Sequence, residues 1–379
     1  MNTPRPLVRL MLAALTLSGS AAQADITIGV SLPLTGAASS LGIPMANQIK
    51  LFPEQIGGEK LKIVIADDAT DPAKGAQNAK RFTEEGADLV VGSVVTPIAA
   101  AMAQHLNEAQ VPQYALGPFA NLPGKDGWSF RMVHAPELMA QAVMAHLRKS
   151  GVKTLGFLGY ADAYGEGWLT EMNKLLAQPG APTLVAVERF ARTDSSVAAQ
   201  ALKLASTTPD AILVVASGGG AALPQRALAE RAYKGRIYQT HAAASRDFLR
   251  LAGKDAEGAY VVAAPGIVPE QLPAGHVSKP LAQDFVKGYE GAYGAGTRAI
   301  YSASVYDVQL VLQMVIPKAL KLGKPGTPAF RTALRDLTEQ LGPQPVANGV
   351  LNFSKDNHWA YGPASPVMLR VAGGDWKVD

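Results

Sequence analysis

Beyond residue 24, short apolar runs alternate with longer amphipathic stretches. The runs Ile26–Ser31, Leu61–Ala66, Ala87–Val91, Val111–Leu116, Lys153–Leu158, Thr183–Phe190, Ala211–Ala216, Arg236–Thr240 and Ala259–Ala264 are predicted strands. Between them, Pro72–Glu85, Pro97–Ala109, Pro136–Ser150, Gly165–Leu176, Ser196–Ser206 and Ala221–Ala232 carry helical periodicity. Several of these begin at a capping residue: Asp71 before Pro72, Thr96 before Pro97, and Asp194-Ser195 before a third. Most of the strands are continuously apolar, which is the pattern of parallel strands buried on both faces. The class is therefore α/β, with doubly wound parallel sheets covered by helices.

The series runs twice, over 25–135 and 152–265. A loop rich in Pro and Gly follows, then helices over Leu281–Tyr293 and Ala299–Leu322, and Asn348–Phe353 with Val367–Val371 as a closing hairpin. Such an order returns the chain to its first lobe and crosses over again near the end. The expected division is lobe 1 from 25–136 and 266–346, and lobe 2 from 137–265 and 347–379. A cleft between hinged lobes is a preferred ligand site.

The stretch 87–120 organises this picture. Its two apolar runs end in loops, Gly92–Thr96 and Gly117-Pro118-Phe119, and both loops lie at carboxyl ends of strands. Ligands of open α/β sheets collect there. Pro97 suits the first turn of a helix, which puts Thr96 at the N-cap beside free backbone donors. A helix N-terminus of this kind seats anions, carboxylates included.

Composition narrows the function. Of 379 residues, 48% are hydrophobic and 17% charged, which excludes a disordered chain. Residues 1–24 carry Arg5 and Arg9, an apolar run from Leu10 to Leu17 and Ala22-Gln23-Ala24. That order is a cleaved export signal, its apolar run too short to span a bilayer. A mature chain starting at Asp25 is expected in the periplasm. Without the two arginines, Lys and Arg number 33 against 31 acids, too even a balance for a nucleic-acid-binding face. A cysteine count of zero leaves no disulfide, no thiolate metal site and no lipid-modified N-terminus. The six histidines show no metal-binding spacing, and neither a G-x-S-x-G elbow nor a phosphate-binding glycine loop is present. No catalytic constellation forms, so neither an enzyme nor a cofactor is expected.

Colinear motifs then carry a resemblance. Ile26-Thr-Ile-Gly-Val-Ser-Leu-Pro-Leu-Thr-Gly36, Leu41-Gly42, Ala66-Asp-Asp68 with Asp71-Pro72, Gly92-Ser93 with Thr96-Pro97, Asp162-Ala-Tyr-Gly-Glu-Gly167 and Gly349-Val-Leu-Asn-Phe353 together resemble the branched-chain amino-acid-binding class of type I periplasmic receptors. The resemblance implies two αβα lobes joined by a three-crossover hinge. It also implies a monomer that closes on a ligand and delivers it to an ABC permease. By position, Thr96 matches the hydroxyl that binds the ligand carboxylate, and Gly117 and Phe119 match the loop completing that grip. Tyr164 matches the aromatic cover from the second lobe, Leu41 a side chain near the ligand tail, and Ser217 a second-lobe loop contact.

His241 departs from that pattern, standing where amino-acid binders place an acid against the ligand's ammonium. An ammonium buried without an anion carries a large desolvation cost. An imidazole suits a hydroxyl, a carbonyl or a carboxylate. With Phe119, Leu41 and Tyr164 as walls, the expected ligand is a small aromatic or aliphatic organic acid. The alternatives are a branched-chain or other amino acid held the same way, and a periplasmic sensor feeding a signalling partner.

Overall fold

The structure, a computed structural model, describes residues 25–122, 124 and 126–379. The export signal expected over 1–24 lies outside the described residues. The first sheet has six strands: β1 (Ile26–Leu32), β2 (Gln55–Ile56), β3 (Glu59–Asp67), β4 (Leu89–Gly92), β5 (Gln113–Ala115) and β6 (Ser129–Arg131). Their spatial order is β2-β3-β1-β4-β5-β6, all parallel except β2. The second sheet is built on β7 (Thr154–Tyr160), β8 (Thr183–Phe190), β9 (Ala211–Val215), β10 (Arg236–Gln239) and β11 (Tyr260–Ala263). It runs β8-β7-β9-β10-β11 in parallel and then adds two antiparallel strands from the chain's end. The molecule is thus two α/β lobes with mostly parallel sheets.

Helices α1 (Ser39–Ile49), α2 (Pro72–Glu84) and α3 (Thr96–Glu108) cover the first sheet. The second carries α4 (Pro136–Lys149), α5 (Ala163–Leu176), α6 (Ala198–Ser206), α7 (Ala222–Glu230) and α8 (Arg246–Ala252). After β11 the chain forms α9 (Lys279–Tyr293), α10 (Ile300–Ala319) and α11 (Pro328–Glu339), and α10 packs along α1 and α11. Strands β1, β4 and β9 bury every residue or nearly so, as continuous apolar runs require.

Two local expectations change. Asn348–Phe353 and Val367–Val371 do not pair with each other. Instead β13 (Gly349–Leu351) turns back on β12 (Gln344–Val346), and β14 (Val367–Ala372) pairs with β11 and with β15 (Asp375–Val378). The reason is local: Gly373 and Gly374, both at positive φ, make the tight turn that closes β14 on β15. Between them the segment ending at Tyr361 rides on the first sheet. Arg131 N–H donates to His358 O at 2.8 Å, and Ala360 N–H to Arg131 O at 3.1 Å. Asp194 also caps no helix: its carboxylate accepts from Ala191 N–H within the preceding turn, and α6 starts at Ala198. Asp71 does cap α2, accepting from Ala73 N–H at 2.8 Å.

The chain turns sharply out of β4 at Gly92, where φ is +112° and a Cβ would sit 2.0 Å from Ser31 O. Gly92→Ala therefore meets both backbone strain and a clash with a carbonyl. It is expected to lower the melting temperature well beyond Gly86→Ala, whose site has positive φ but open space. Thermal denaturation of the two variants beside the parent checks this; equal shifts would contradict it.

Candidate functional site

Two loops at the carboxyl edge of the first sheet are knitted together. Ser93 O accepts from Leu116 N–H at 3.2 Å. Gln113 Nε2 bridges them from below, donating to Gly92 O at 2.9 Å and Ala99 O at 3.1 Å. Ser93 Oγ donates to Asp68 at 2.7 Å, and burial pushes this carboxyl up to about 6. Asp67 next to it gathers the N–H groups of Leu34, Thr35 and Ala69. The acidic pair is therefore a loop anchor, and among the described residues no cluster of His, Asp or Glu is suited to a metal ion.

These loops present Thr96 to a cavity between the lobes. Its apolar wall comes from Leu41, Met45, Val94, Leu116, Val133 and Ile300. Its polar groups are Thr96, His134, Tyr164, Arg192, Ser217, His241, Tyr301 and Ser304. Five of the seven expected residues, Leu41, Thr96, Tyr164, Ser217 and His241, are thereby brought together. Gly117 and Phe119 are not. Leu116 and Pro118 face the cavity from that loop, while Gly117 lies against backbone, where a Cβ would meet Val94 O at 2.9 Å. The Phe119 ring packs on Ala99, Ala103 and Ala115 beneath the Arg131 guanidinium, 4.1 Å from the ring centroid. Arg131 also donates to Phe119 O at 2.7 Å, so Phe119 belongs to that buried cation's shell and not to the cavity wall.

Thr96 is the first residue of α3, and Val95 occupies the cap position without a side-chain bond. The Thr96 hydroxyl is buried and has no hydrogen-bond partner among the described residues. A capping threonine would not be left so, and an unpaired buried hydroxyl costs about 1–3 kcal/mol. The His241 ring is in the same condition, with Nδ1 buried and unpartnered.

The second lobe supplies the charge. Asp162 caps α5, accepting from Tyr164 and Gly165 N–H, and its other oxygen holds Arg192 Nε at 2.6 Å. Arg192 lies over the Tyr160 ring at 4.0 Å and donates to Ser217 Oγ at 2.9 Å. Tyr164 donates to Thr240 Oγ1 at 2.8 Å. His134 Nε2 meets Asn348 O at 3.2 Å, and its ring stacks on Tyr361 at 4.1 Å. Burial drives both cavity histidines toward the neutral form, His241 down to about 4 and His134 to about 3, the latter further lowered by His241.

The lobes meet across this cavity. From the start of α10, Tyr301 donates to Ala242 O and accepts from Gly218 N–H. Gly219 N–H donates to Ser40 Oγ at 3.4 Å, and a Cβ on Gly218 would strike Ser40 and Leu41. The missing Cβ of Gly218 thus lets the second lobe approach α1 closely. Sequence reasoning missed His134, Arg192 and Tyr301. Arg192 follows the carboxyl end of β8, so the strand-end rule that found Thr96 reaches it as well. Tyr301 carries no local signal, because only the return of α10 brings it to the cavity.

The family model for periplasmic binding proteins matches residues 25–374. The chain belongs to that family. It is of the branched-chain amino-acid type, whose members are solute receptors and not enzymes. This binding protein is similar to an extracellular ligand-binding receptor from Rhodopseudomonas palustris, 42% identical with a TM-score of 0.91, over 94% of this chain and 99% of that one. It is 27% identical over 252 residues to a Leu/Ile/Val-binding protein homologue of Brucella melitensis, covering 63% of this chain and 67% of the relative. A solute-binding protein of R. palustris solved with benzoate is 20% identical at a TM-score of 0.76, over 94% and 95% of the two chains, a likeness of fold alone. Homologues are periplasmic or extracellular, and among the described residues no helix is long and apolar enough to cross a membrane.

Two outcomes follow for this binding protein. Thr96→Val removes an unpaired buried hydroxyl, so the ligand-free protein should melt at the same or a higher temperature while its ligand binds about tenfold or more weakly. A cap residue would show the opposite stability change. Since His134 and His241 are neutral when folded, unfolding takes up protons below their ordinary pKa of about 6.5. Their contribution to stability is complete above that pH and is lost as pH falls toward 4 and then 3. Their imidazole signals in NMR should accordingly show no titration between pH 8 and 5.

Proposed function

We propose that this protein, exported by cleavage after Ala24, captures a small organic acid in the periplasm and presents it to an ABC permease. One observation carries the ligand class: none of the described residues lining the cavity is acidic, and one of them is the cation Arg192. A carboxylate gains the unbonded N–H groups of Arg192 and the hydroxyls of Thr96 and Ser217, one from each side of the cleft. The apolar wall accepts an aromatic or branched aliphatic body.

The names of the curated relatives favour a second reading, a branched-chain amino acid. Its ammonium would enter a cavity that holds one cation and two neutral imidazoles. The nearby Asp162 is bonded to Arg192, Tyr164 and Gly165, so no free carboxylate meets it.

Capture is closure. The lobes are taken as 25–136 with 266–346, and 137–265 with the closing strands β14 and β15, while 347–361 stays on the first sheet. They touch the same solute only when Tyr301 and Ser40 reach residues 218, 219 and 242. A ligand that bridges Thr96 and Arg192 binds that state better and so populates it. A monomer suffices for this, and the chemistry needs no cofactor.

Isothermal titration with benzoate, cinnamate and leucine tests the proposal. The aromatic acids should bind at micromolar Kd or tighter and leucine at least a hundredfold more weakly. Arg192→Gln should cost the acids a factor of ten to a hundred. Tight leucine binding with no response to either acid would overturn the organic-acid reading.

A further inference from the structure

The proton inventory of the cavity goes further than its charge. Thr240 Oγ1 donates its own hydrogen to Ala216 O at 3.1 Å, a carbonyl that can only accept. The 2.8 Å contact between Thr240 and Tyr164 must therefore use the tyrosine's hydrogen. Tyr164, 4% exposed and lining the cavity, thus offers a ligand lone pairs and no proton. The same accounting holds at His134. Its Nε2 faces the carbonyl of Asn348 and so carries the ring's hydrogen, which leaves Nδ1 the acceptor of a neutral imidazole. Between these two stands His241, its ring 6.1 Å from that of His134 and 6.4 Å from that of Tyr164. Its buried Nδ1 has no partner, and either tautomer is open to it.

The other polar groups differ in kind. Arg192 has only donors, and the Ser217 hydroxyl, which accepts from Arg192, keeps its own hydrogen for another partner. Ser304 donates to Ile300 O and accepts from Asn348, and Tyr301 donates to Ala242 O and accepts from Gly218, so neither asks anything further of a ligand. The cavity therefore has a donor set, Arg192, Ser217 and Thr96, and an acceptor set, Tyr164 and His134, with His241 free to serve as either.

We infer that the solute is a hydroxylated acid, whose carboxylate takes the donor set and whose hydroxyl donates to Tyr164 or His134. This rests on the organic-acid reading above and adds to it the polarity of the second group. Acceptors that are buried and fixed discriminate sharply, because an analogue without the hydrogen leaves them unpaired. A methoxy group makes the strictest comparison, since it presents an oxygen without a proton.

Titration calorimetry with 2-, 3- and 4-hydroxybenzoate and hydroxycinnamate, each beside its methoxy and unsubstituted counterpart, tests this. At least one hydroxy isomer should bind tenfold or more tightly than both counterparts. Thr240→Val frees the tyrosine's hydrogen and should shrink the hydroxy-to-methoxy ratio several-fold, and Tyr164→Phe should shrink it as well. The two variants reach the same ratio by different routes, so a folding defect in one leaves the other to decide. Hydroxy and methoxy acids binding equally, or a ratio unmoved in both variants, would overturn the inference while acid binding stands. No binding by any of these acids would instead overturn the organic-acid reading, and the inference with it.

Discussion

A parallel sheet covered on both faces has nowhere to put polar side chains except beyond the ends of its strands. That constraint governs this molecule twice. Along β4 and β9 the side chains are apolar and buried, β1 departs from this only at Thr27 and Ser31, and helices close both faces. Thr96, Arg192, Ser217 and His241 each follow the carboxyl end of a strand, and Tyr164 does so from the start of α5. Two such edges facing each other make a small volume with apolar walls and a few fixed polar groups. Binding specificity then depends on which of those groups already have partners.

The half-buried Arg192 is the most consequential residue of the site. A guanidinium withdrawn from water needs an anion, and Asp162 is placed to be one because it also caps α5. One carboxylate thus fixes the helix that carries Tyr164 and the cation that faces the ligand. Asp162 meets Nε, and Ser217 meets one N–H of another nitrogen. A guanidinium has five N–H donors, so those remaining suit a second, mobile anion. Burial keeps His134 and His241 neutral, and each would repel the other if both were charged.

Much of the fold was legible in the sequence because its signals are local. Continuous apolar runs, Pro at first turns and Asp71 as a cap each act within a few residues, and the elements they predict lie where expected to within a few positions. The site divides along the same line. Thr96, Tyr164, Ser217 and His241 were legible as positions that follow strand ends in a resembled family, and Leu41 as one near the start of α1. Phe119 lies outside the cavity lining because its environment is set by Arg131, a residue twelve positions on whose buried charge takes the ring as its lid. His134 meets Asn348 and Tyr361 from the far end of the chain, and no window of sequence contains that meeting. The pairing of β14 with β15 in place of β13 was a matter of turn chemistry, legible in Gly373-Gly374 and overlooked in favour of a longer connection.

The same meeting ties the cavity to the hinge. Asp307 on α10 accepts from Ala347 N–H at 2.8 Å, Asn348 N–H at 3.1 Å and Tyr361 Oη–H at 2.7 Å. Burial pushes that carboxyl up to about 7. Asn348 in turn receives His134, whose ring lies on Tyr361. A cavity residue therefore shares its partners with the backbone of the last crossover and with α10, whose first turn bears the interlobe contact of Tyr301. Any shift of the His134 ring must break the bond to Asn348 or carry residues 347 and 348 along, and Asp307 resists the latter. The His134 ring is thereby held in one orientation on the side of α10. Closure then brings the second lobe onto a group that is already set.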